Sequence, residues 1–274
     1  MTLSNAMLVF WKDWREISRN MQVLGPMLVV PLLFAVVLPA IIFLSPSLMN
    51  VPMSQFGNLG SIFESLPADL KALISTMTVQ QSMIYVFGLY FFAPFFLIIP
   101  LMASSVLAAD SFAGEKDRKT LEALLATPLT NRELMLGKIL VSFIPSMLVT
   151  LLAFTLYCAV VDIASFGTFG GILLLPNALW LALIFGVTPT VALAAIGITV
   201  IVSSRVKGFR EAQQLSAILV FPILGLIFAQ IGGVVFFGPL MLIGLVIGFS
   251  ALDVVVFWIG VKLFRREEIL MRSV

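Results

Sequence analysis

The sequence predicts an all-α, polytopic membrane protein. Six transmembrane helices follow an N-terminal amphipathic interfacial helix, with both termini cytoplasmic. Three observations predict this. Hydrophobic residues make up 61% of the 274 and charged residues 11%, where a soluble domain carries about 25% charged. The apolar residues collect into six runs, each near or above the ~20 a helix needs to cross a bilayer. Of the 16 Lys and Arg, all but Lys71 fall on one side when those runs are threaded alternately. The positive-inside rule makes that side the cytoplasm, in a multi-pass protein of the cell (plasma) membrane.

Residues 3–21 come first. Leu3, Met7, Phe10, Trp14, Ile17 and Met21 step by four and three along one helical face, with Lys12, Asp13, Arg15, Glu16 and Arg19 opposite. With Trp11 and Trp14 this reads as a helix lying in the membrane interface. It either orients the first span or also touches a cytoplasmic partner. The stretch lacks the basic-then-apolar order of a cleavable signal, so the first span is expected to stay as an anchor.

The spans follow at Leu24–Leu44, Met83–Ala109, Ile139–Val161, Ala178–Val202, Leu215–Phe236 and Pro239–Phe264. Each contains at least one proline, which a spanning helix tolerates when neighbours satisfy the freed carbonyl. Between spans one and two, residues 45–82 form the outer loop. There Leu66, Leu70, Leu73, Ile74 and Met77, with Pro67 near the start, predict a short amphipathic helix. Spans three and four are joined by a Gly- and Phe-rich loop whose one charge is Asp162. Spans five and six meet at Gly232-Gly233 and Gly238-Pro239, a junction compatible with a re-entrant turn or a tight hairpin. No repeat or linker divides the chain, so 1–274 reads as a single transmembrane domain.

Several chemistries are excluded. No G-x-x-x-x-G-K-[ST] loop is present to cradle phosphate. The chain has no His and one Cys, Cys158, which removes the commonest metal ligand and any intrachain disulfide. No nucleophile stands with a base, and a net charge of +2 gives no reason to expect nucleic acid. The chain itself is expected not to be an enzyme and to bind no cofactor or metal.

The one long polar segment runs from Asp110 to Lys138. Leu121, Leu124 and Leu125, at i, i+3, i+4 with Glu122 beside them, give a short amphipathic helix with an apolar ridge. Pro128 breaks it. Thr130-Asn131-Arg132-Glu133 is a capping box that starts the next helix. Helix, break, helix, held between two spans, suits docking onto a soluble partner, because a merely solvated loop does not need three leucines on one face.

The run Glu115-Lys116-Asp117-Arg118-Lys119-Thr120-Leu121-Glu122-Ala123-Leu124-Leu125, then Pro128, Arg132, Gly137 and Lys138, resembles the signature of ABC transporter permeases of the type-2 exporter class. Lys119 stands where that family has Gly. The resemblance implies a permease that pairs as a dimer with a second copy or a paralogue, each half binding a separate cytoplasmic ATPase subunit. ATP and Mg would sit on that subunit. It also implies a coupling role for the loop 110–137. Leu121, Leu124 and Leu125 would fill an apolar groove of the ATPase, Glu115 and Glu122 would be held at its rim, and Thr120 to Pro128 would bound the coupling element.

Two intramembrane polar residues are speculative substrate or ion positions. Asp253 lies deep in span six, where a charge costs at least ~2.5–3.5 kcal/mol. Gln230 lies in span five. Gly244-x-x-x-Gly248 is a small-residue packing motif. The rival readings are an ion-coupled secondary carrier that uses Asp253 and a non-transporting membrane scaffold. Within the first reading, the substrate (drug, lipid, peptide, polysaccharide or sodium) is left open.

Overall fold

The structure, a computed structural model, describes residues 3–44, 66–118, 120, 130–206 and 208–263, and among these all regular structure is helical. The helices are α1 (Leu3–Ile17), α2 (Met21–Leu44), α3 (Ala68–Ser75), α4 (Val79–Asp117), α5 (Asn131–Phe166), α6 (Ala178–Arg205), α7 (Phe209–Ile231) and α8 (Pro239–Leu263). Six of them, α2 and α4 to α8, are long and apolar enough to cross a membrane, as the sequence predicts.

Local chemistry starts four of these helices. Asn20 Oδ1 accepts from Gln22 N at 3.1 Å ahead of α2. Thr78 and Gln81 close a capping box on α4, at 2.9 and 3.3 Å. The box expected at Thr130 is present on α5, where Glu133 N donates to Thr130 Oγ1 at 3.3 Å and Thr130 N to Glu133 Oε2 at 3.0 Å. Asn177 Oδ1 accepts from Trp180 N at 3.0 Å on α6. Each satisfies a donor the first helical turn leaves orphaned.

Spans two and five show how the bounds differ from the sequence reading. Span two does not end at Ala109. Its helix continues through Asp117, because the charges that look like the start of a loop are paired, with Asp110 and Glu115 also buried. Span five starts at Phe209 and stops at Ile231, with Asp117 Oδ2 accepting from Phe209 N at 2.8 Å at its start. The junction with α8 is a turn over Gly232–Gly238, with Gly233 at φ 71°, and no helix lies between them. In the 45–82 loop, Ala68–Ser75 is helical, with Leu66 buried and Leu70 and Ile74 packed on the core.

The bundle is built around α4. Its most apolar stretch is 83% buried, against 11% for α8. Helix α5 packs along one side of α4 and α6 along another, and α8 leans on α6. There Gly197 allows the close approach, since a Cβ on it would meet Val256 at 2.4 Å.

Helix α4 is interrupted in its middle. Phe92 N donates back five residues to Phe87 O at 3.1 Å, a π-type turn, and Pro94 brings no N–H to Tyr90 O. Three consecutive carbonyls are taken up by other helices instead. Tyr157 Oη from α5 donates to Gly88 O at 2.7 Å, Trp180 Nε1 from α6 to Leu89 O at 3.0 Å, and Gln230 Nε2 from α7 to Tyr90 O at 3.0 Å. In hydrocarbon an unsatisfied carbonyl costs several kcal/mol. The interruption is thus what binds three neighbouring helices to the centre. Around it Trp180 stacks on Tyr157 at 4.7 Å, with the Phe96 ring edge-on at 5.0 Å. Similar wide turns at Leu33–Val37 and Leu183–Val187 lie just before Pro39 and Pro189.

Candidate functional site

The segment expected to carry function leaves α4 and enters α5. At its roots lies a buried charge cluster that the sequence does not announce. Glu115 is 1% exposed. Lys12 Nζ of α1 lies 2.8 Å from its Oε1, and Lys138 Nζ of α5 lies 2.7 Å from its Oε2. Lys138, also 1% exposed, donates to the Ser111 carbonyl. It stands 3.7 Å from Asp13 Oδ2 and 5.2 Å from the centroid of the Phe112 ring. Asp13 Oδ2 accepts from Ser111 Oγ at 2.8 Å. Asp110 Oδ1 accepts from Arg118 Nη1 at 3.1 Å, and Arg118 Nη2 reaches Glu16 at 3.4 Å.

The four charges of the Glu115–Arg118 run therefore go to four places. Glu115 ties α1 to α5. Lys116 Nζ donates to the carbonyls of Ser203, Ser204 and Val206, at 2.7, 3.4 and 3.2 Å, capping the C-terminal end of α6. Asp117 caps α7. Arg118 folds back on Asp110 and α1. A helix start favours an acid and a helix end a base, so the order Lys116-Asp117 matches the end of α6 followed by the start of α7. Burial alone lowers the Lys12 pKa, but Asp13, Glu115 and Glu16 together outweigh it and the pKa is raised. Arg118 is raised in the same way by Asp110 and Glu16 against its burial.

The Gly-Lys that closes the motif has a steric and an electrostatic half. A Cβ on Gly137 would lie 2.7 Å from the Ala6 carbonyl and from Val9 Cβ, so the glycine lets α1 lie directly on α5. Lys138 then neutralises what the contact buries.

A model of the ABC-2 family transporter protein matches residues 7–252. The chain belongs to the ABC-2 transporter family. Neither a curated protein nor a solved structure matches it. An ABC-2 membrane domain is a transport permease, and this one is a multi-pass membrane protein.

Within this ABC-2 protein the expected site residues fall into three groups. Glu115 was expected at a partner's rim but is enclosed, with both oxygens against lysines of its own chain. Thr120 is half-buried and its N–H donates to Glu115 O at 3.1 Å, folding the chain back at the cluster. Leu121, Glu122, Leu124, Leu125 and Pro128 lie outside the described residues. Helix α1 departs from the simple amphipathic reading. Asp13 faces inward with Ala6, Val9, Phe10 and Ile17, while Met7 and Trp11 are exposed. Gln230 is buried and holds the α4 interruption. Asp253 is half-buried on α8, and its Oδ1 is enclosed with no hydrogen-bond partner among the described residues. The roles of Lys12, Asp13, Asp110 and Lys138 were missed. Their signal was present as unlike charges on three segments, but sequence spacing does not pair residues about 100 positions apart.

Proposed function

We propose that this chain is the membrane subunit of an ATP-driven exporter, working as a dimer, and that a separate cytoplasmic ATPase docks on the segment 110–137. The observation that carries the reading is the charged cluster. The segment leaves from and returns to one buried joint shared by α1, α4, α5, α6 and α7. A displacement of the segment is then delivered to several membrane helices at once, through bonds rather than slack chain. ATP and Mg would be held by the partner. The charge asymmetry of the loops favours placing the joint on the cytoplasmic side of the plasma membrane.

Affinity purification from the native membrane in mild detergent, with partner identification and an ATP-hydrolysis assay, tests this. The wild-type chain should bring down an ATPase subunit. Leu124→Asp should lose it while still inserting in the membrane. Undiminished ATPase recovery with Leu124→Asp would remove the docking assignment. A preparation without ATPase, whose transport is lost in Asp253→Asn, would favour an ion-coupled carrier.

A further inference from the structure

We propose that the trough between α7 and α8 is a binding site for a single alkyl chain entering sideways from the bilayer. Helices joined by a short connection usually pack on each other. Here α7 and α8 follow one another through the Gly232–Gly238 turn yet make almost no mutual contact, α8 leaning on α6 and α7 on α4. The gap between them is a half-open trough of about 280 Å³, floored by Leu101 and Ala195 and walled by Pro222, Gly244, Gly248 and Phe249.

Two features point to hydrocarbon as the occupant. Among the described residues every lining side chain is aliphatic or aromatic, and none of these can orient a polar group. The trough also sits midway along the spans, at the depth of acyl chains rather than headgroups. The room comes from side chains that are missing, since a Cβ on Gly244 or Gly248 would meet no atom of the described residues within 4 Å. These glycines are therefore not used for helix packing within the chain. The volume lies just below the ~300–1,000 Å³ of ligand sites, and suits one chain. Walls and floor around it would supply dispersion contacts that an open helix face cannot. The site does not depend on an ATPase partner.

The test uses the full chain in nanodiscs containing a phospholipid with a diazirine midway along one acyl chain. After illumination, adducts are mapped by mass spectrometry. Peptides covering Leu219–Pro222 and Gly244–Leu252 should be labelled above the open α5 face at Leu148 and Leu152. Gly248→Phe, and independently Gly244→Leu, should reduce this labelling to the α5 level, while Gly248→Ala and the α5 adducts stay unchanged. Gel filtration checks that the filled variants are folded. Labelling no higher than on α5, or unmoved by both filled variants, would mean ordinary surrounding lipid and overturn the site. So would disulfide-linked dimers of Gly248→Cys in a Cys158→Ala background, which would put a second copy in the trough.

Discussion

At Lys138 a single ammonium group meets the carboxylates of Glu115 and Asp13, the Ser111 carbonyl and the face of Phe112. Taking a charge out of water is costly, and breaking a buried pair by removing one partner costs about 3–5 kcal/mol. Lys138→Met should therefore lower stability by about that amount in denaturant unfolding in detergent. Adding Glu115→Gln should restore part of the loss, because Lys12 is then left to neutralise one buried carboxylate, Asp13, rather than two. A Lys138→Met protein as stable as wild type would contradict the joint. Lys12 gives a pH test. Its folded pKa lies above the ordinary 10.5, so its contribution is full below 10.5 and fades as pH rises through the higher folded value. Thermal stability should fall on that limb in the wild type, and Lys12→Gln should flatten it. The fall should be small, because Lys12 is partly exposed and solvent screens it.

At the scale of the element, α4 shows what a proline in a span requires of its neighbours. Pro94 cannot donate to Tyr90 O, and Gln230 of α7 donates instead. Gln230→Leu should cost on the order of 0.6–1.7 kcal/mol, the range for hydrogen bonds between membrane helices. Pro94→Ala supplies an N–H at the position where the helix lacks one. In that background Gln230→Leu should become nearly neutral, which a double-mutant cycle of unfolding free energies would measure. Equal costs in both backgrounds would show that Gln230 does not serve that carbonyl. The same helix shows where sequence reading stops. Its apolar core and its prolines were legible, and so was the Thr130–Glu133 box, because these signals are local. Its extension to Asp117 was not. Asp110 and Glu115 read as loop by polarity alone, and they are helical and buried because Glu115 is paired by lysines of α1 and α5 and Asp110 by Arg118 folding back from the end of α4. Tyr157 and Trp180 likewise look like ordinary apolar-run aromatics until the carbonyls they meet are placed.

Across the whole molecule, the joint and the α4 interruption lie at different heights of one central helix. The joint gathers α1, α5, α6 and α7 at its charged end, and the interruption binds α5, α6 and α7 farther along. A push at the joint would thus reach the far half of the bundle through helices that α4 holds at two levels. That transmission serves an ATPase only if the joint faces the cytoplasm. The charge distribution predicts this side, with Lys71 the one basic residue left opposite. In a Cys158→Ala background, Ala72→Cys on α3 should react with a membrane-impermeant maleimide in intact cells. Arg210→Cys, at the start of α7, should react only after the membrane is opened. Both positions are exposed, so a failure to label reports sidedness rather than burial. The reverse pattern would place segment 110–137 where no cytoplasmic subunit can reach it. The coupling proposal would then fail, while the bundle, the joint and the lipid-facing trough would stand as described.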